Sequence, residues 1–121
     1  MDHIICHFEI PADNVQSLAG FYTKLFGWKI EQLPGFGDYW SVRTSEAEGA
    51  LGGGMMKRQH PQQAIMNYVL VEDVAAYAAK AEELGAKVLL PKTEIPGMGW
   101  FAVIDDPQGN CLGLFQEAGG N

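Results

Sequence analysis

Ile4-Ile5-Cys6-His7-Phe8-Glu9-Ile10-Pro11-Ala12-Asp13 and, 60 residues later, Asn67-Tyr68-Val69-Leu70-Val71-Glu72-Asp73 are two versions of one pattern. Each reads as a strand that runs into the N-cap of a helix. Strand side chains alternate with period two, so His7 and Glu9 share one face of the first of these strands.

Working outward, the order after each strand is the same. Val15, Leu18, Ala19, Tyr22, Leu25 and Phe26 recur at helical spacing, with Asp13 or Asn14 as cap and Gly27 as terminator. Asp13 with Gln16 also has the spacing of a capping box. Three strands follow, near 28–33, 39–44 and 50–57, with Pro34-Gly35 at a turn. In the second half Val74, Tyr77, Ala78, Ala81 and Leu84 form the helical stripe, which Asp73 caps and Gly85 closes. Strands are expected near 65–71, 87–90, 100–104 and 111–116. The 60-residue offset reappears in Gly37/Gly97, Trp40/Trp100, Gly49/Gly109 and Gly53/Gly113.

Each half is therefore βαβββ, and the chain is one α+β domain with modules at about 1–58 and 65–118 and a polar linker at about 59–64. One helix covers only one face of a four-stranded sheet, so the second face demands a partner. Paired modules are expected to curl into cup-like mixed sheets with the helices outside, and a homodimer is the expected assembly.

Composition narrows the function. The 121 residues are 47% apolar and 19% charged, a globular balance for a single core. A net charge of −7 lacks the basic footprint of a nucleic-acid binder. No apolar run is long enough to span a bilayer, and Met1-Asp2-His3 does not resemble a secretory signal. Cys6 and Cys111 form no metal or redox motif and read as small buried residues in a reducing, cytoplasmic compartment. No glycine-rich phosphate loop opens either helix, and no nucleophilic triad can be assembled.

Phe21-Tyr22, Phe26-Gly27-Trp28, Val71-x-Asp73, Leu84-Gly85-Ala86 and the turn Asp106-Pro107-Gln108-Gly109-Asn110, set on paired βαβββ halves, resemble the vicinal oxygen chelate superfamily. That group includes glyoxalase I, extradiol dioxygenases, fosfomycin-resistance enzymes and bleomycin-binding proteins. The resemblance covers almost the whole chain, and it implies a cleft between sheets where metal-dependent relatives place a His or Glu at four strand positions. Carried onto this sequence, those positions are His7, Gly53, Asn67 and Gly113. One imidazole, one amide and two glycines fall short of the roughly three ligands a catalytic divalent metal requires, even if Glu9 assists. No cofactor is expected.

Glu9 on an inner strand face must be paired, solvated in a cleft or bound to ligand, because a buried lone carboxylate is costly. The run Gly52-Gly53-Gly54 implies a bulge or a close approach by another group, and loss of ligand side chains at Gly53 and Gly113 implies space there. Trp40, Met55, Trp100, Phe101 and Phe115 are the candidate lining, with His7, Glu9, Gly53, Asn67 and Gly113 as the other candidate ligand contacts. The expected function is binding of a small apolar or aromatic molecule, with no nucleic-acid or membrane partner. The alternative is a lyase or oxidoreductase in which His7 and Glu9 perform acid–base chemistry.

Overall fold

The computed structural model describes residues 1–119. The chain divides into two compact units: His7–Ile65, and Met1–Cys6 together with residues 66–119. The breaks thus fall inside the first strand, between Cys6 and His7, and between Ile65 and Met66. No helix among the described residues is long and apolar enough to cross a membrane.

The elements are β1 (Ile5–Ala12), α1 (Val15–Phe26), β2 (Lys29–Gln32), β3 (Trp40–Arg43), β4 (Gly52–Lys57), β5 (Met66–Leu70), α2 (Val74–Glu83), β6 (Lys87–Ile95), β7 (Gly99–Asp105) and β8 (Cys111–Glu117). Each module is βαβββ, as the sequence pattern predicts. The first orders its strands β2-β3-β4-β1 and the second β6-β7-β8-β5, with a parallel β1–β4 or β5–β8 pair and antiparallel neighbours otherwise.

Local chemistry fixes the helix ends. Asn14, not Asp13, caps α1, its side chain accepting from the Ser17 amide at 3.0 Å. Asp13 instead pairs with Arg58 at 2.9 Å. Gly27 closes α1 at φ 76°, a left-handed conformation costly for any residue with a Cβ. Asp73 caps α2 by accepting from the Ala76 amide at 3.1 Å. Strand β6 runs five residues beyond the expected Leu90, because register shifts between Val88 and Thr93 absorb Pro91, which cannot donate to a ladder.

In the first module Ile10, Ala12, Val42 and Met55 bury against Ala19 of α1, with Phe8, Ile30 and Trp40 packed around them. In the second, Val71, Ala102, Ile104 and Leu114 bury against Val74 and Ala78 of α2, with Val69 and Leu112 alongside. The helical stripes run out early: Leu25, Phe26 and Leu84, expected in the cores, are 56%, 58% and 72% exposed. Cys111, expected to be buried, is exposed, its thiol 3.4 Å from the Met66 sulfur.

The two modules do not repeat at one constant offset. Trp40 and Trp100 differ by 60, but Met55 opposite Trp40 answers to Gln116 opposite Trp100, an offset of 61. Core packing agrees, since Ile10 and Val71, each buried in the core of its own module, also differ by 61. A one-residue slip turns a strand over. His7 therefore corresponds to Tyr68 rather than Asn67, and Gly52, not Gly53, corresponds to Gly113.

Candidate functional site

Burial of Phe8, Ile10 and Ala12 against α1 leaves His7 and Glu9 on the opposite face of β1, half-buried. Parallel pairing sets Glu9 beside Gly54. Between them lies Tyr39, at the end of the loop 33–39. That loop is folded by bonds from the Leu33 amide to the Tyr39 carbonyl (3.0 Å) and from the Tyr39 amide to the Phe36 carbonyl (3.2 Å).

The Tyr39 hydroxyl donates to Glu9 Oε2 at 2.9 Å and lies 2.7 Å from His7 Nε2. A hydroxyl has one proton to give. With that proton on Glu9, the second bond requires His7 to carry hydrogen on Nε2 and donate it to the phenol oxygen. The His7 and Tyr39 rings lie 13° from parallel, with centroids 6.4 Å apart. The row His7→Tyr39→Glu9 is thus a directed chain of two hydrogen bonds.

Burial disfavours charge on both rings. It lowers the His7 pKa below its ordinary value, with Glu9 opposing the shift, which favours the neutral imidazole. Burial, the Glu9 charge and the bond to Glu9 all push the Tyr39 phenol well above its ordinary range, so it remains protonated. Chemically the row offers a neutral N–H donor, a locked hydroxyl and a carboxylate.

The glycine run explains how Tyr39 reaches this place. A Cβ at position 54 would lie 1.9 Å from the Tyr39 hydroxyl. Gly53 faces the other way, where a Cβ would meet the Phe8 carbonyl at 2.3 Å and its ring at 2.5 Å. Gly113 is closed off by Tyr68, whose ring would stand 2.2 Å from a Cβ there. The space expected at Gly53 and Gly113 is therefore filled by aromatic rings of the neighbouring strands.

Several expected lining residues are also displaced by the strand register. Met55, fully buried, and Trp40 and Gly53 belong to the α1 side of their sheet, not to the face of His7 and Glu9. Trp100, in step with Ala102 and Ile104, lies on the α2 side, and Asn67 is an exposed residue paired with Leu112. Phe101, Phe115 and Gly113 do share a face. Phe101 pairs with Phe115, and its ring meets that of Tyr68 edge-on at 6.3 Å. Tyr39 and Tyr68 were missed by sequence reasoning. The triple glycine was the available signal for the first, since it demanded a close neighbour.

The metal centre that the resemblance implies needs several His or Glu donors on one strand face. The first module offers there His7 and Glu9, bridged by a phenol, with glycines on β4; the second offers Tyr68, Gly113 and Phe115. No group of three or more His, Cys, Asp or Glu side chains able to hold a metal occurs among the described residues. These residues do not fit that centre.

Comparison with known proteins agrees with the fold. The profile of a glyoxalase-like domain matches residues 7–115. CFP32 of Mycobacterium bovis, named as a candidate glyoxylase, is 35% identical over 101 residues, covering 79% of this chain and 39% of that protein. The anthracycline biosynthesis protein DnrV of Streptomyces peucetius is 27% identical over 128 residues, covering 91% of this chain and 46% of its own. The chain thus spans less than half the length of these curated relatives. Among solved structures, a variant of Streptomyces coelicolor methylmalonyl-CoA epimerase superposes with a TM-score of 0.67 at 14% identity, covering 97% of this chain and 96% of its own. The chain belongs to the glyoxalase-like domain family and has the fold of the vicinal oxygen chelate superfamily.

Proposed function

We propose that this chain binds a small apolar or aromatic molecule, without a metal, on the strand face that carries His7, Tyr39 and Glu9. The observation that carries this reading is the hydrogen-bonded row itself. It places a neutral donor and a carboxylate 2.7 and 2.9 Å from one oxygen position on a face that α1 does not cover. A few well-placed polar groups among apolar ones are the usual composition of a small-molecule site. The likeness to a protein named for anthracycline biosynthesis supports an aromatic ligand class. The proposal extends to a cytoplasmic homodimer, supported by the exposed Phe21, Leu25 and Phe26 of α1 and tested by sedimentation equilibrium.

A thermal-shift screen of aromatic metabolites and antibiotics, with metal analysis of the purified protein, tests this reading. A ligand at about 100 times its Kd adds about 2.7 kcal/mol to stability. No shift across the panel overturns ligand binding, and a stoichiometric, tightly held transition metal overturns the metal-free part.

The same row favours one second reading, an enzyme of lyase or oxidoreductase ancestry. Glu9 would accept a proton and the protonated Tyr39 would polarise a ligand oxygen, with His7 orienting both. Turnover that persists in chelator and disappears in Glu9→Gln supports catalysis over binding alone.

A further inference from the structure

We infer that the Tyr39 side chain is a built-in occupant of this site, and that the ligand class it stands in for is the hydroxylated aromatic, a phenol or enol. The inference deepens the ligand-binding reading above and rests on it.

The oxygen position between His7 and Glu9 is chemically selective. His7 Nε2 presents a hydrogen and Glu9 presents a lone pair, so a group that both accepts and donates satisfies the pair. A carbonyl or ether accepts from His7 but brings no hydrogen to the carboxylate, and an ammonium donates to Glu9 but offers nothing to the imidazole N–H. A hydroxyl does both, as the Tyr39 phenol demonstrates. Losing one of the two bonds at this half-buried pair gives the site a basis for rejecting a near-isostere.

The rest of the geometry fits an aromatic hydroxyl. Gly54 supplies the notch in which the phenol oxygen rests, and the ring lies nearly parallel to the imidazole of His7. Tyr39 stands outside the strands, at the end of a loop whose turns use Gly35 at φ 85° and Gly37 at φ 62°. Rotation about its side-chain bonds is enough to vacate the notch, with no ladder hydrogen bond broken. Tyr39 and an incoming phenol then compete for one pair of hydrogen bonds. A protein whose competent state is only fractionally populated binds its ligand more weakly by that fraction.

Competition makes a prediction that a simple contact residue does not. Tyr39→Phe keeps the ring and fold but cannot hold the oxygen position, so it should bind a phenol more tightly than the parent chain. Binding of 2-naphthol and naphthalene, measured by titration calorimetry, supplies the matched pair of probes. The expected result is that 2-naphthol binds the parent chain in preference to naphthalene. It should bind Tyr39→Phe at least about fivefold more tightly again, while naphthalene affinity changes little. Glu9→Gln should lose most of the preference for the hydroxyl, which keeps the test decisive if Tyr39→Phe folds poorly. Weaker or unchanged 2-naphthol binding in Tyr39→Phe overturns the inference while leaving ligand binding intact. Equal affinity for both probes in the parent and in Tyr39→Phe also overturns it. Absence of binding by either probe to any of the three proteins overturns the inference, while the thermal-shift panel decides the ligand-binding reading on which it rests.

Discussion

The three consecutive glycines of β4 should respond very differently to the same added methyl group. At Gly52 a Cβ would meet only the Val42 carbonyl, at 3.2 Å. Alanine also restricts the unfolded chain, which favours folding by about 0.4–1 kcal/mol where the backbone is compatible. Gly52→Ala is therefore expected to change stability by less than about 1 kcal/mol. At Gly53 the methyl would lie 2.3 Å from a backbone carbonyl of β1, which cannot move without parting the parallel pair. Overpacking of this kind costs about 1–3 kcal/mol, and Gly53→Ala belongs at the upper end. At Gly54 the obstacle is the tip of one side chain, the Tyr39 hydroxyl at 1.9 Å, which can swing away at the loss of its bonds to Glu9 and His7. Both groups regain some water, so a cost of about 1–2 kcal/mol is expected. Urea denaturation of the three variants gives the order. A double-mutant cycle of Gly54→Ala with Tyr39→Phe sharpens it, because each removes the same hydrogen bonds and the costs should fall short of additive by about 1 kcal/mol. Gly53→Ala costing no more than Gly52→Ala, or strict additivity in the cycle, would refute this reasoning.

The remaining expectations rest on other parts of the chain. His7 should titrate below its ordinary pKa in an NMR titration, and Glu9→Gln should lower it further by removing the opposing charge. Because folding depresses that pKa, the His7 contribution to stability is present above the unfolded value near 6.5 and is lost as pH falls through the folded value. Asp106 accepts from the Asn110 amide at 2.9 Å, the Asn110 side chain at 3.0 Å and the Gln108 amide at 2.8 Å, which hold its carboxyl below the ordinary carboxylate range. Its contribution is likewise complete above the unfolded pKa of about 3.9 and fades on acidification, so Asp106→Ala should flatten the acid limb of the stability profile. Asp73→Ala should cost about 1 kcal/mol by uncapping α2, measured by thermal unfolding.

The sequence made the element order legible because it is written in local chemistry. Caps, left-handed glycines and periodic apolar residues each specify their own few residues, and both βαβββ modules follow from them. What the repeat could not convey was strand register. Counting residues gave a uniform 60, but the chain from Trp40 to its partner Met55 is one residue shorter than that from Trp100 to Gln116, and the paired strands realign by one. Apolar packing against each helix, a tertiary property, decides which neighbour turns inward. That single residue exchanged Asn67 for Tyr68 and put Gly53 and Met55 on the helix side. His7 and Glu9 needed only the period-two rule within one strand, so their common face was readable. Tyr39 belongs to a loop with no period at all, and only its imprint, the glycine at position 54, lay in a regular element.

The placement of Met1–Cys6 with residues 66–119 has a consequence for biosynthesis. His3 bonds the Leu70 carbonyl at 2.9 Å and the Tyr77 hydroxyl at 3.0 Å, across 67 and 74 residues of chain. These are among the most non-local contacts the protein makes, and such contacts form late. On the ribosome Met1–Cys6 emerges ahead of His7–Ile65, yet its partners are translated after the whole of that unit. The nascent chain must therefore carry an unsatisfied leading segment, with Ile4 and Ile5 in it, until the second module is made. Vectorial synthesis and native topology run in opposite orders here, and a fragment ending at residue 65 would expose that segment permanently.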